Sequence, residues 1–159
     1  MTKLAFFDID GTLAAPLFLS PEGRPVVGFS DEEWVAYCER EKEASYDHCR
    51  PVPQIREYAE SLKGQGATLY VLTASCGEEE DRAKDLFIGR QFPGLFHSVI
   101  CVRHDREKID VIRKEAGKAG VEMGDCELIE DTFDTVLLAH VAGVKAVHVS
   151  NILAGNISG

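Results

Sequence analysis

Short apolar runs alternate along the chain with segments of helical periodicity. The apolar runs lack the polar alternation of a half-exposed strand, so they predict strands that are buried on both faces of a sheet. Five such strands are predicted, over Lys3–Ile9, Ala67–Thr73, Ser98–Arg103, Cys126–Glu130 and Lys145–Ser150.

Between most of these strands, apolar residues recur at the spacing of a helix face. The stretch Glu78–Gln91 predicts a helix whose acidic first turn suits the helix dipole and is expected to be solvated. Three further stripes each predict a buried helix face: Ile55, Tyr58, Ala59 and Leu62; Ile109, Ile112, Ala116 and Ala119; and Phe133, Val136, Leu137, His140 and Val141. Strands that alternate with helices predict an α/β, Rossmann-like three-layer sandwich around a five-stranded parallel sheet.

The segment 14–50 interrupts this alternation. It is longer than a usual strand-to-helix connection, and its first half is rich in proline and glycine. Ser30-Asp31-Glu32-Glu33 then has the pattern of a capping box, and it begins a short helix with an apolar face. We predict one domain over residues 1–159, in which residues 14–50 form a small cap or lid and Trp34 anchors its helix. A peripheral elaboration of the fold is the alternative.

Composition and charge narrow the class of protein. The chain has 159 residues, of which 45% are hydrophobic, and this fits one globular domain. The formal net charge of −10 argues against broad binding to nucleic acid or to an anionic membrane. The five cysteines are odd in number and no export signal is visible, so free thiols and a cytoplasmic location are predicted.

The stretch Asp8-Ile9-Asp10-Gly11-Thr12 directly follows the first apolar strand. In open α/β sheets, ligands bind beyond the carboxyl ends of the strands, and two carboxylates there are costly unless a cation neutralises them. A divalent metal ion is the obvious candidate, and Gly11 permits a backbone that turns main-chain N–H groups toward an anion. The stretch therefore predicts a metal-assisted phosphate site; an ordinary turn is the alternative.

Other polar residues are predicted at the same edge of the sheet. Thr73 ends the second strand, where its hydroxyl and the backbone amide of Ala74 can hold phosphate oxygens; a plain strand end is the alternative. Lys108 begins the helix after the third strand and can neutralise both a nucleophile and phosphoryl oxygens. Arg103 and Arg106 compete for that role.

A second acidic pair, Glu130-Asp131, ends the fourth strand. Carboxyl ends of parallel strands meet at one edge of a sheet, so this pair is expected near Asp8 and Asp10. Two acidic pairs at one edge fit a Mg²⁺ site with oxygen ligands.

These motifs, in this order and spacing, resemble the four motifs of the haloacid dehalogenase-like hydrolases along essentially the whole chain. The resemblance implies that Asp8 is the nucleophile and Asp10 the general acid and base. It also implies that Thr73 and Lys108 match the second and third motifs, and that Glu130-Asp131 matches the acidic fourth. The implied Mg²⁺ ligands are Asp8, the carbonyl of Asp10, and Asp131, assisted by Glu130; which of the last two is the principal ligand stays open.

One departure from the family pattern and a second resemblance bear on the expected substrate. Many members of the family have Thr-Gly-Arg in the second motif, whereas this chain has Thr73-Ala74-Ser75, so a substrate contact from that arginine is missing. The insert, through Trp34, Tyr37, Asp47 and Pro51, is similar to relatives of the phosphatase domain of polynucleotide kinases, which suggests a minimal cap. The acidity of the chain disfavours a nucleic-acid end and leaves a small phosphorylated metabolite or a nucleotide.

The resemblance therefore implies a Mg²⁺-dependent phosphohydrolase that cleaves a phosphate monoester through an aspartyl-phosphate. A carboxylate at Asp10 favours phosphate esters over halides, because a halide leaves without a proton. A phosphotransferase or mutase that uses the same intermediate, and a catalytically idle phosphate-binding module, are the alternatives. The oligomeric state stays open.

Overall fold

The computed structural model describes residues 1–157 and has a five-stranded parallel sheet at its centre. The strands of this sheet are β1 (Leu4–Phe7), β4 (Thr68–Ala74), β5 (Ser98–Val102), β6 (Cys126–Glu130) and β7 (Lys145–His148); two short strands, β2 (Ala14–Ala15) and β3 (Arg50–Pro51), pair separately. The five strands of the central sheet lie in the order β5-β4-β1-β6-β7. Because β1 lies in the middle, the residues that follow it face the centre of the carboxyl edge.

Helices cover both faces of the sheet and complete three layers. They are α1 (Asp31–Glu41), α2 (Pro53–Gly64), α3 (Glu78–Gln91), α4 (Lys108–Ala119), α5 (Phe133–Val141) and α6 (Val149–Leu153). One core unites alternate strand residues such as Phe7 with the apolar faces of α2, α3 and α6. The opposite core unites Phe6 and its face of the sheet with α4 and α5. Side chains alternate along each strand, so each strand contributes residues to both cores. The predicted three-layer α/β fold is confirmed.

The five predicted strands of the central sheet and the predicted helices occur in the predicted order, whereas the short strands β2 and β3 and the helix α6 were not predicted. The predicted helix Glu78–Gln91 has the observed bounds, and the capping box at Ser30 and Glu33 begins α1. The predicted last strand, Lys145–Ser150, is wrong at its end, since β7 stops at His148 and α6 follows at once.

The predicted buried stripe on α5 is also wrong. Phe133, Leu137 and Val141 lie exposed, while Thr135 and Ala139 face the sheet. This helix is apolar on several sides, so its periodicity did not define which side is buried. Small residues on the buried side let the helix backbone lie close to the strands.

The insert leaves and rejoins the domain through one narrow ribbon. Strands β2 and β3 pair antiparallel, with Ala14 opposite Pro51 and Ala15 opposite Arg50. Between them the chain forms a turn-rich loop, α1 and a 3₁₀ turn over Lys42–Ala44. The ribbon therefore places the insert over the same sheet edge as the residues that follow β1.

None of the helices described in residues 1–157 is long and apolar enough to cross a membrane. The cysteines are free, as the sequence predicts, and three of them are buried: Cys38, Cys49 and Cys126.

We expect Phe6→Ala to lower the free energy of unfolding by about 3–5 kcal/mol, because it removes a buried ring and leaves a cavity. Phe6 is fully buried in β1 and stacks on Tyr70 with a centroid separation of 5.0 Å. Val27→Ala is the control, since Val27 is 94% exposed and should change stability by less than about 0.5 kcal/mol. Urea unfolding measures both; a loss under about 1 kcal/mol for Phe6→Ala would contradict the described core.

Candidate active site

Residues from three parts of the chain meet at the carboxyl edge of the sheet. Asp8 follows β1, Glu130 ends β6 and Asp131 comes next, and each offers a carboxylate oxygen within 4.8 Å of the others. Lys108 opens α4, after β5, and its side chain is almost fully buried. The acidic pairs predicted at two strand ends therefore lie together in the fold.

Lys108 bridges these carboxylates. Its Nζ lies 3.1 Å from Asp8 Oδ1, 2.6 Å from Glu130 Oε2 and 2.8 Å from Asp105 Oδ1. The other oxygen of Glu130 accepts hydrogen bonds from the backbone N–H groups of Asp131 and Thr132, at 3.1 and 3.2 Å. Both oxygens of Glu130 are thus engaged, which fixes the lysine and the loop that carries Asp131.

The charges in this cluster are only partly balanced. Burial raises the pKa of Asp8 to about 7 against the opposing charge of Lys108, and the carboxylates of Glu130 and Asp10 add to the rise. Burial also raises the pKa values of Glu130 and Asp131. The neighbouring carboxylates outweigh burial at Lys108 and raise its pKa, so this lysine stays charged. Negative charge in excess of one lysine favours binding of a further cation.

Gly11 allows Asp131 to approach the loop after β1. Its φ is +73°, and a Cβ atom at this position would lie 2.3 Å from Asp131 Oδ2. The Gly11 N–H bonds to the carbonyl of Ala14, and the N–H of Thr12 bonds to that of Ile9. The tight loop therefore uses the N–H groups of Gly11 and Thr12 internally, and the prediction that main-chain N–H groups turn toward an anion stays a prediction for the rest of this loop. The glycine instead makes room for a carboxylate.

The donor set fits a hard divalent cation. Asp8, Glu130 and Asp131 supply only oxygen atoms as ligands. Because Asp131 lies close to Gly11, its partly exposed carboxylate is near the buried carboxylate of Asp8. Oxygen ligands of this kind suit Mg²⁺. Asp131 carries fewer competing bonds than Glu130, which favours it as the principal ligand of the second pair.

A second buried lysine, Lys84 on α3, holds Asp10. Its Nζ lies 3.1 Å from Asp10 Oδ2, 3.1 Å from Glu80 Oε1 and 2.9 Å from Thr73 Oγ1. The Tyr46 hydroxyl from the insert donates to Asp10 Oδ1 at 2.8 Å. The carboxylate of Asp10 is therefore held from the core on one side and from the insert on the other.

Sequence reasoning missed Lys84, Glu80 and Tyr46. Glu80 was expected to be solvated with the rest of the acidic first turn of α3, but it is buried and its Oε2 accepts the Cys76 N–H at 2.6 Å. Burial would raise the pKa of Glu80, yet the charge of Lys84 and the Cys76 N–H lower it. The spacing of Glu80 and Lys84 by four residues was the available signal, since it places both on one side of the helix.

Cys38, Cys76 and Glu80 form another group whose ligand atoms lie within 4.8 Å of one another. Both oxygens of Glu80 are already engaged, one by Lys84 and the other by a backbone N–H. Burial also raises the pKa values of both thiols, which disfavours the thiolates that a metal needs. This group is therefore better explained as a packing contact between the insert and α3 than as a metal site.

An open cleft of about 660 Å³ lies between the insert and the sheet edge. Asp10 borders it, together with residues from the loop after β4, the loop after β5 and the insert. The full lining is Asp10, Pro16, Phe18, Asp31, Trp34, Val35, Ala74, Ser75, Cys76, Glu80, Arg103 and His104. The cleft thus connects the acidic edge with the insert.

The remaining predicted residues take different places. Thr73 is fully buried and its hydroxyl accepts a hydrogen bond from Lys84, whereas Ala74 borders the cleft. Arg103 pairs with Asp81, so Lys108 is the competing residue that contacts Asp8. Trp34, expected as a buried anchor, is only half-buried and borders the cleft while it packs on other rings of the insert.

The fold is similar to that of several proteins of known structure, among them two that are described as phosphatases. A predicted phosphoglycolate phosphatase from Haemophilus somnus is 17% identical, with a TM-score of 0.65 over 92% of this chain and 84% of that one. CbbY from Rhodobacter sphaeroides, solved with phosphate, is 16% identical, with a TM-score of 0.64 over 93% and 86%. A 3-deoxy-D-manno-octulosonate 8-phosphate phosphatase from Moraxella catarrhalis, solved with magnesium and phosphate, is 22% identical, with a TM-score of 0.50 over 89% and 64%.

No protein-family model matches the chain, and neither does the sequence of any curated protein. The structural similarities, which extend over most of the chain, show that it has the fold of the haloacid dehalogenase-like hydrolases. The resemblance of the sequence motifs and the similarity of the fold therefore agree.

We expect Gly11→Ala to weaken Mg²⁺ binding, because its Cβ would displace the Asp131 carboxylate. Gly23→Ala is a matched control: Gly23 also has a positive φ, +77°, but a Cβ there meets nothing within 4 Å. Both variants should lose about 1–2 kcal/mol of stability from the left-handed backbone. Only Gly11→Ala should lose the rise in melting temperature that Mg²⁺ gives the wild type, measured by thermal unfolding with and without the ion. An unchanged Mg²⁺-dependent rise in Gly11→Ala would remove Asp131 from the ligand set.

Proposed function

We propose that this protein is a Mg²⁺-dependent phosphohydrolase that cleaves a phosphate monoester through an aspartyl-phosphate on Asp8. The observation that carries the proposal is the cluster at the end of β1: buried Asp8 in contact with Lys108, beside Glu130 and Asp131 and next to an open cleft bordered by Asp10. The structural similarity to two proteins solved with phosphate, one of them a phosphatase, supports the same chemistry.

Asp8 is suited to act as the nucleophile. Its carboxylate lies at the end of the central strand, and Lys108 holds one of its oxygens at 3.1 Å. In the first step an Asp8 oxygen bonds to phosphorus while the bond from phosphorus to the ester oxygen breaks. Lys108 remains charged and stabilises the negative charge of the phosphoryl oxygens.

Asp10 is suited to move the proton in both steps. It donates a proton to the departing ester oxygen, and then takes a proton from the water that attacks the phosphorus of the aspartyl-phosphate. That attack releases phosphate and restores the Asp8 carboxylate. Lys84 and Tyr46 orient the Asp10 carboxylate for this exchange through contacts at 3.1 and 2.8 Å.

Asp8, Asp131 and the backbone carbonyl of Asp10 would hold Mg²⁺, assisted by Glu130. When bound, the ion neutralises negative charge on the phosphoryl group and on the surrounding carboxylates. We assign the phosphate oxygens to the end of β4, where Ala74 borders the cleft and the hydroxyl of Thr73 contacts Lys84.

Hydrolysis is favoured over transfer to another acceptor because water can reach Asp10. The side chain of Asp10 is 40% exposed, and the insert contributes only one helix and a loop over the site. A transferase needs a cover that excludes water from the intermediate. We therefore assign residues 14–50 as a small cap within one catalytic domain.

The substrate is a small phosphorylated metabolite or nucleotide in this proposal. Structural neighbours solved with xylulose 1,5-bisphosphate and with KDO are consistent with a small-molecule substrate. A cytoplasmic location also stays a prediction, which rests on the free cysteines.

The proposal predicts Mg²⁺-dependent release of phosphate from p-nitrophenyl phosphate. Excess chelator should stop turnover and added Mg²⁺ should restore it, while Asp8→Asn should reduce turnover to background because the nucleophile is lost. Asp105→Asn is the control, since Asp105 also contacts Lys108 but is half-exposed, and it should retain most of the activity. Full activity in chelator, or in a deamidation-free preparation of Asp8→Asn, would contradict the mechanism; inactivity of the wild type on every phosphate ester tried would favour an idle binding module.

We expect Asp10→Asn to slow turnover by about 10²–10⁴-fold with poor leaving groups. The loss should be smaller with good leaving groups, because they depart with little protonation. Rates over a series of aryl and alkyl phosphates measure this dependence. A loss that is equal across the series would contradict the role of Asp10 as the acid of the first step.

A further inference from the structure

The insert contributes an aromatic wall to the cleft beside Asp10. Phe18 and Trp34 border the cleft, and their ring centroids lie 4.8 Å apart in an edge-to-face arrangement. Trp34 also stacks on Tyr37, with a centroid distance of 5.4 Å and an interplanar angle of 16°. Because these rings support each other, the half-buried indole is held as a fixed apolar surface at the mouth of the site.

The opposite wall carries little free positive charge. Among the described residues that line the cleft, Arg103 is the one lysine or arginine, and it makes a two-point ion pair with Asp81 at 2.9 and 2.7 Å. Asp10 and Asp31 line the same cleft, and Asp31 is exposed. A second phosphate group is therefore disfavoured on the part of a ligand that lies in the cleft, away from Asp8, because the described lining of the cleft offers that group little free positive charge.

The cleft has the volume and position to hold a leaving group. Its volume of about 660 Å³ lies in the range of small-molecule sites. It is continuous with Asp10, the residue that we assign as the proton donor to the ester oxygen. The group attached to that oxygen would therefore occupy the cleft, one wall of which is aromatic.

We propose that this cleft binds the leaving group of a phosphate monoester whose alcohol carries a planar ring and no second phosphate. An arylalkyl phosphate and a nucleoside monophosphate share this chemistry. The inference rests on the proposed function and adds the substrate class to it. The ring of the alcohol packs against Trp34. The rest of the alcohol, which is neutral or cationic, lies near the acidic groups of the cleft and the ion pair of Arg103.

The first test compares substrates with similar leaving-group acidity. 2-Phenylethyl phosphate, 2-cyclohexylethyl phosphate and ethyl phosphate differ chiefly in the group beyond the ester oxygen. We expect kcat/KM to be at least about tenfold higher for the phenyl compound than for ethyl phosphate, and higher than for the cyclohexyl compound. Equal values for all three substrates would overturn the proposal, while equal values for the two ring compounds would overturn its planar-ring part.

Variants of the wall test which residue carries the preference. Trp34→Ala should raise KM for 2-phenylethyl phosphate about tenfold and leave ethyl phosphate nearly unchanged, and Trp34→Phe should recover part of the loss. Phe133→Ala is the matched control, because Phe133 is 64% exposed on α5 and does not line the cleft; it should change neither KM. An equal rise of KM for both substrates in Trp34→Ala would overturn the contact between ring and indole.

Fluorescence measures binding without turnover. Trp34 is the single tryptophan of the chain, so quenching by a nucleoside monophosphate reports occupancy of the cleft in the wild type, whether or not Trp34→Ala folds. Saturable quenching, together with no turnover of any phosphate ester tried, would support the cleft and contradict the proposed function. Turnover of ethyl phosphate without quenching or ring preference would contradict the cleft alone.

A final comparison tests the charge of the opposite wall and separates the two substrate sources. A nucleoside 5′-monophosphate should be used at least about tenfold better than its 3′,5′-bisphosphate. Asp81→Asn should narrow this difference, because it releases the charge of Arg103. Preference for the monophosphate over 2-phenylethyl phosphate would identify a nucleotide as the source, and the reverse an arylalkyl ester. Equal use of the monophosphate and the bisphosphate would overturn the exclusion of a second phosphate.

Discussion

Two buried lysines neutralise part of the negative charge at the carboxyl edge of the sheet, and the arrangement of the site depends on them. Lys108 bridges Asp8 and Glu130, while Lys84 bridges Asp10 and Glu80. Buried carboxylates without such partners would be costly, and removal of one member of a buried pair leaves an uncompensated charge. The lysines therefore lower the cost of burying several carboxylates at the ends of the central strands, so that the chain can fold with them there.

The compensation at Lys108 is incomplete, and this imbalance has a chemical consequence. One lysine faces Asp8, Glu130 and, from the exposed side, Asp105, while Asp131 approaches through the space left by Gly11. Burial and mutual repulsion raise the pKa of Asp8 to about 7 in the protein alone. A divalent cation would relieve that repulsion and stabilise the ionised form that a nucleophile requires. In this proposal, the excess of negative charge that binds the cation lies at the nucleophile itself.

The cluster around Lys84 connects the insert with Asp10, the proposed general acid. Tyr46 belongs to the insert and donates to Asp10, while Lys84 from α3 contacts the same carboxylate and the hydroxyl of Thr73. The aromatic wall at Phe18 and Trp34 belongs to the same insert. A segment that is peripheral to the sheet thus contributes both an orienting contact for the proposed acid and a surface for the leaving group.

The sequence by itself determined the order of the elements, the parallel sheet and the chemical type of its edge. Unbroken apolar strands, helical stripes and acidic residues directly after β1 and β6 are local signals, and the carboxyl ends of parallel strands must share one edge. Tertiary structure alone decided that Glu80 is buried with Lys84, that Gly11 makes room for Asp131, and that α5 turns Ala139 rather than Leu137 to the sheet. These outcomes depend on which surfaces meet after packing, and a pattern along one helix or loop does not contain that information.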